Sequence, residues 1–210
     1  MKGAHIHRAT LQVEDLVETA AGMTTHIART VMDIGRDRGT TAMVVSADAA
    51  LHRHLIETTE LEAVARRCWN WPGIRRATCG LSLLDKRAES PLESLSRLAI
   101  GSMPIVQPEL QPEIVSTSGF LLGKVDFYWD EYGVVGEADG LLKYRDNGSL
   151  TAEKLRQERL ERAGLVVVRW GWSDVMQTPE TLQRRLRWAF SRGLALKRSG
   201  LVAGWSVRHP

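Results

Sequence analysis

At 210 residues, 43% of them hydrophobic and 25% charged, the chain has room for one large domain or one and a half, with the composition of a soluble globular protein. No apolar run approaches a membrane span, Met1-Lys2-Gly3-Ala4-His5 has no signal-peptide core, and two cysteines make no disulfide framework. A cytoplasmic protein with no membrane partner is expected.

The net charge of +3 is unevenly spread. Residues 1–139 hold 14 Lys and Arg against 19 Asp and Glu, a balance of −5; residues 140–210 hold 14 against 6, a balance of +8. A basic segment of that kind suits a polyanionic partner, and equally a helix with a solvated basic face.

In chain order, His5-Ile6-His7-Arg8 and Leu11-Gln12-Val13 read as short strand material. The spaced pairs His5/His7 and His52/His54 have no third ligand nearby, and Cys68 and Cys79 do not have a zinc spacing. From Thr25 the hydrophobic period becomes helical. A Thr-capped helix runs from Thr25 towards Gly39, and a second spans Ala42 to His54. Thr59-Glu60-Leu61-Glu62 reads as a capping box opening a third, and Pro72 precedes a fourth from Ile74 to Leu84. These form a small bundle. Arg66-Arg67 and Arg75-Arg76 read as solvated surface charge, with phosphate contact as the alternative.

Ser90-Pro91-Leu92-Glu93 opens the next helix, with Ser90 as N-cap and Glu93 closing the box back onto it. Pro104 to Val115 reads as an extended edge segment marked by Pro108 and Pro112. Glu153 to Arg162 is a charged helix ending at Gly164. Leu165 to Trp170 is a buried strand, and Thr178-Pro179 starts a last helix through Leu196. The segmentation is therefore 1–86 mainly helical, 87–198 a mixed α/β domain, and 199–210 a tail.

Gly123 to Gly140 is the most informative stretch. It reads as a hairpin turning at Asp130-Glu131-Tyr132-Gly133. With the turn centred on Glu131-Tyr132, facing residues have numbers summing to 263. Asp126 then opposes Glu137, and Lys124 opposes Asp139, all four on one face. Val125, Phe127, Trp129, Val134, Gly136 and Ala138 take the other, core-like face. Carboxylates directly opposite one another, about 5 Å apart at Cβ, destabilise a hairpin unless a cation lies between them. Hard divalent ions favour that pairing; a solvated polar face is the alternative.

From residue 88 the order helix, three strands, helix, strand, helix resembles the PD-(D/E)XK nuclease superfamily, in the branch related to very-short-patch repair endonucleases. Four phrases over about 85 residues carry the likeness: Glu89-Ser90-Pro91-Leu92-Glu93-Ser94, Val125-Asp126-Phe127, Gly136-Glu137-Ala138-Asp139-Gly140 and Ala163 to Trp170. Thr24 to Asp33 resembles the middle of actinobacterial abortive-infection type IV antitoxin-like proteins, which usually begin with a winged-helix domain; the expectation is a form lacking that domain.

The resemblance implies a restriction-endonuclease-like core, a central mixed sheet flanked by helices. It also implies hydrolysis of DNA phosphodiesters with Mg²⁺, or Mn²⁺ in its place. Asp126 and Glu137 are then metal ligands, and Glu93 is a first-helix acid completing the site. Asp139 stands where the motif has lysine, which leaves Lys143 or Lys124 to finish the chemistry. Arg156, Arg159, Arg184 and Arg185 are the phosphate-contact candidates. The missing lysine and the antitoxin-like N-terminal part point to a second reading, a non-catalytic module that binds DNA or a toxin or other protein partner. A purely structural interaction domain is a third.

Overall fold

The structure, a computed structural model, describes residues 7–140, 147–200 and 204–209, and for residues 147–152 the backbone alone. It is mixed α/β, and its contacts divide the chain into two units, Met1–Leu84 and Asp85–Pro210. Among the described residues no helix is long and apolar enough to cross a membrane.

The first unit opens with a hairpin, β1 (Leu16–Thr19) and β2 (Gly22–Thr25), followed by α1 (Ile27–Arg38), α2 (Thr40–His52), α3 (Thr58–Arg67) and α4 (Ile74–Leu81). The helix order matches the periodicity, but two caps differ. Thr25 ends β2, and the α1 cap is His26, whose Nδ1 accepts from the Ala28 N–H at 3.3 Å. The Glu60 carboxylate closes the α3 cap two residues earlier than read, accepting from the Glu57 N–H at 2.7 Å. Gly35 lets α1 approach α2 and α4. A Cβ there would meet the Cβ of Ala77 at 2.7 Å and that of Met43 at 2.8 Å.

The second unit runs α5 (Pro91–Gly101), β3 (Glu109–Leu110), β4 (Glu113–Ser116), β5 (Leu121–Lys124), β6 (Phe127–Trp129), β7 (Val134–Ala138), α6 (Asn147–Arg162), β8 (Val166–Trp170), α7 (Trp172–Met176), α8 (Pro179–Ser199) and β9 (Trp205–Arg208). The main sheet is ordered β3-β6-β7-β8, antiparallel except for the parallel β7/β8 pair. A second, antiparallel sheet is ordered β5-β4-β9. The stretch read as one edge segment is thus two short strands in different sheets, and β4 lies at the centre of its own. The stretch read as a tail supplies β9.

Alternation along β6 and β7 builds two cores. Phe127, Trp129, Val134 and Ala138 pack with Leu92 and Ile100 of α5, Val168 and Trp170 of β8, and Leu182, Leu186 and Phe190 of α8. Tyr128 and Val135 face the other way and pack with Ile114, Leu122, Val125 and Leu160 of α6. The main sheet is covered on both faces, and β7 is buried at every position. Its polar face is therefore not solvated, which corrects the amphipathic reading of the hairpin.

The hairpin register is the expected one. Phe127 opposes Gly136, Tyr128 opposes Val135 and Trp129 opposes Val134, all sums of 263. The turn is a short 3-10 segment, Asp130–Tyr132, closed by Gly133 at φ 60°. One part of the expectation fails. The first strand breaks at Val125-Asp126, where the chain leaves the second sheet for the main one. Val125 consequently packs with Tyr128 and Val135, not with Phe127 and Trp129. Lys124 opposes Glu113 of β4 rather than Asp139.

Candidate functional site

The break at Asp126 sends the two hairpin acids to different partners. Asp126 Oδ2 accepts from the Ala138 N–H at 2.8 Å, so its carboxylate extends the β6/β7 ladder where backbone pairing has stopped. Its Oδ1 lies 3.4 Å from the amide nitrogen of Gln111, which also donates to Glu93 Oε2 at 2.7 Å. Gln111 is buried and has φ 58°, an uncommon value outside glycine, and its own N–H donates to the Asp126 carbonyl at 3.1 Å. Glu93 Oε2 also accepts from the Glu89 N–H at 2.9 Å, and Ser90 Oγ accepts from the Glu93 N–H at 3.2 Å. The helix-opening box therefore closes one residue before the cap, and the Glu93 carboxylate serves both the helix end and Gln111. A narrow crevice with no room for a water molecule lies here, lined by Glu93, Gln111, Asp126, Ala88, Leu110 and Phe127 among others.

Glu137 faces α6. Its side chain is 3% exposed, and Arg156 Nη1 donates to its Oε1 at 2.9 Å. The same nitrogen donates to the Lys124 carbonyl at 2.7 Å, and the Arg156 stem crosses Gly123, where a Cβ would meet its Cγ at 3.0 Å. Glu153 receives the rest of that guanidinium, at 2.7 and 3.0 Å, and a further bond from Arg169. Arg169, the register partner of Glu137 on β8, donates to Asp139 Oδ2 at 2.8 Å. The result is a five-residue chain of charge, Glu137–Arg156–Glu153–Arg169–Asp139.

The electrostatics follow from depth. Burial pushes the Glu137 carboxyl above its usual range, against the hydrogen bond and field of Arg156. Glu153 is shallower. Burial also opposes its charge, but hydrogen bonds from Arg156 and Arg169 outweigh that and hold its carboxyl down at about 2. A carboxyl depressed in the folded state stabilises above its unfolded value, near 4.5, and that contribution is lost as pH falls towards about 2. Glu153→Gln is expected to flatten the stability–pH curve across that window, as read by denaturant midpoints between pH 2 and 5. An unchanged curve would overturn the assignment.

The acids that the resemblance assigns to a metal do not fit one as they stand. Glu137 carries Arg156, Asp139 carries Arg169, and among the described residues no three His, Cys, Asp or Glu side chains converge on one point. Glu93 and Asp126 do meet, across a Gln111 amide whose N–H₂ occupies the place of a cation. Of the two lysine candidates, Lys124 pairs with Glu89, and Lys143 lies outside the described residues.

The arginine candidates also divide. Arg156 turns inward, as above. Arg185 lies over the main sheet's edge, donating to Asp174 at 3.2 Å and to the Arg169 carbonyl. Arg159 is exposed and sits 5.9 Å from the Phe120 ring. Arg184 is exposed on α8 and donates to Thr181 Oγ1 at 2.9 Å. One turn on, Trp188 is 61% exposed, and the Arg192 guanidinium lies 5.4 Å from its ring centroid. Arg184, Trp188 and Arg192 thus form an i, i+4, i+8 stripe on the solvent side of α8.

Gln111, Glu153, Arg169 and Trp188 escaped the sequence reading. Arg169 carried a signal, a charge inside an otherwise apolar strand. Glu153 and Arg156 carried another, an i, i+3 ion pair on a helix that covers a sheet. Gln111 carried none, because its role depends on a positive φ.

No family model matches the chain, and no solved structure matches it. Two relatives do, the uncharacterized proteins Rv2248 (strain H37Rv) and MT2308 (strain CDC 1551) of Mycobacterium tuberculosis. Each is 26% identical over 171 residues, which is 81% of this chain and 63% of the relative. The chain thus spans under two thirds of the length of these relatives.

Proposed function

We propose that the second unit is a nuclease-like module that binds DNA without cutting it, in a cytoplasmic setting. The observation that carries this reading is the α8 stripe, where Arg184, Trp188 and Arg192 are presented outward in the basic segment of the chain. Guanidiniums supply phosphate contacts, and an exposed indole supplies a stacking surface. The arrangement of the acids supports the non-catalytic half. Arginines neutralise Glu137 and Asp139, the two positions that the resemblance gives to metal and lysine chemistry. The mixed sheet flanked by helices is in keeping with this reading.

Fluorescence anisotropy with labelled duplex and single-stranded DNA tests the reading. Affinity should fall steeply with salt. The slope should shrink by about 0.9 for each of Arg184→Ala and Arg192→Ala on duplex. Trp188→Ala should cost about 1 kcal/mol or more on single strands. A flat salt response would sink DNA binding in favour of a protein partner such as a toxin.

A second reading, Mg²⁺- or Mn²⁺-dependent hydrolysis, is favoured by one observation, the meeting of Glu93 and Asp126 at Gln111. Plasmid incubation with either ion, and with chelator, decides it. Cleavage that needs the ion and disappears in Asp126→Ala would replace the binding reading.

A further inference from the structure

The first unit contains a pocket of about 480 Å³, within the range of small-ligand sites. Its walls come from the segment before β1, the end of β2, α1 and the start of α4. Four arginines line it, Arg8, Arg36, Arg38 and Arg76, against two aspartates, Asp33 and Asp37.

The charges do not cancel. Arg36 is bound to Asp33, donates to the Pro72 carbonyl at 3.1 Å, and lies 4.7 Å from the Trp71 ring centroid. Arg38 Nε is 2.8 Å from Asp37. Among the described residues, neither Arg8 nor Arg76 has a carboxylate partner, and residues 1–6 contain no Asp or Glu. Four guanidiniums against two carboxylates leave a formal surplus of two positive charges, the complement of a dianion. The remaining wall includes Ala9, Ile34 and Pro72, which offer apolar surface.

The wall is also preset. Gly73, at φ 78°, sits against α1 so closely that a Cβ would lie 2.5 Å from the Arg36 carbonyl oxygen. The α1–α4 approach that shapes the pocket is thus held by backbone contact, and Arg36 is held on three sides before any ligand arrives.

We propose that this pocket binds a small phosphate monoester, its dianion taken by Arg8 and Arg76 and its organic body resting on Ile34 and Pro72. Guanidinium is suited to this work because its planar donors match phosphate oxygens in pairs. The pocket shares no lining residue with the α8 stripe, so the proposal stands or falls without the DNA-binding reading.

Isothermal titration of the full chain with phenyl phosphate at low ionic strength tests it. One site per chain is expected, with inorganic phosphate binding more weakly because it lacks the apolar body. Arg8→Ala and Arg76→Ala should each weaken phenyl phosphate by about tenfold or more, the loss of a charge-assisted hydrogen bond. Arg76→Lys should recover part of the loss, which separates charge from misfolding. Arg75→Ala, at the exposed neighbouring position, should leave affinity unchanged. No binding of phenyl phosphate, or equal binding by both Ala variants and the parent chain, would overturn the proposal. So would tighter binding of a single-stranded oligonucleotide without terminal phosphate that Arg76→Ala abolishes; the pocket would then be a phosphodiester groove.

Discussion

Replacing Arg156 by alanine is expected to destabilise the protein by about 3–5 kcal/mol, the cost of leaving a buried charge without its partner. The size follows from position. Glu137 sits on β7 with its side chain 3% exposed, between a sheet and a helix, where water cannot take over from the guanidinium. Arg156 also satisfies the Lys124 carbonyl and binds Glu153, so its removal opens three acceptors at once. Arg156→Lys should recover only part of the loss, since a single ammonium cannot span Glu137 and Glu153 together. Guanidinium unfolding curves measure the effect. Glu137→Gln in the Arg156→Ala background should restore part of the stability, because a neutral amide tolerates burial better than a bare carboxylate. A loss below about 1 kcal/mol, the range of an exposed ion pair, would show that the contact is a surface one.

The same cluster shows where sequence reasoning reached and where it stopped. The 263 register was legible because the turn-like Asp130-Glu131-Tyr132-Gly133, centred on Glu131-Tyr132 and flanked by β-formers, fixes which positions face each other. The core face was legible for the same reason, except at Val125. There the chain changes sheets, and a change of sheet leaves no mark on hydrophobic period. That single bend takes Asp126 out of the β6/β7 ladder, so the two acids expected to face each other have different partners. The β1/β2 hairpin was invisible because six of its eight strand positions are exposed, as in a surface loop; Leu16 and Thr25 alone are half-buried. The capping role of Ser90 was plain from the motif, whereas the reach of Glu93 to Gln111 depends on a strand, β3, only two residues long.

Gly193→Ala is expected to lose about 2–3 kcal/mol, although alanine is the better helix former by about 1 kcal/mol. Two effects compete, and contact geometry decides between them. A Cβ at Gly193 would lie 2.0 Å from the carbonyl oxygen of Tyr132 and 3.1 Å from its carbon. Those atoms belong to the hairpin turn, so relief requires moving backbone rather than a flexible side chain. The turn is held there by α8 itself: the Tyr132 ring stacks on Phe190 at 4.4 Å, and Lys197 donates to the carbonyls of Asp130 and Glu131. Moving the helix outward would loosen all three contacts together. Ser191→Ala, exposed and two residues earlier, provides the matched control and should change stability by no more than about 0.5 kcal/mol. Thermal or denaturant unfolding of the pair gives the comparison, and a stabilised Gly193→Ala would mean that propensity wins and that α8 is not clamped to the turn. The consequence extends to the outer face of the helix. Arg184, Trp188 and Arg192 are aimed by the same docking, so under the DNA-binding proposal the variant should also bind DNA less tightly at a temperature where it remains folded.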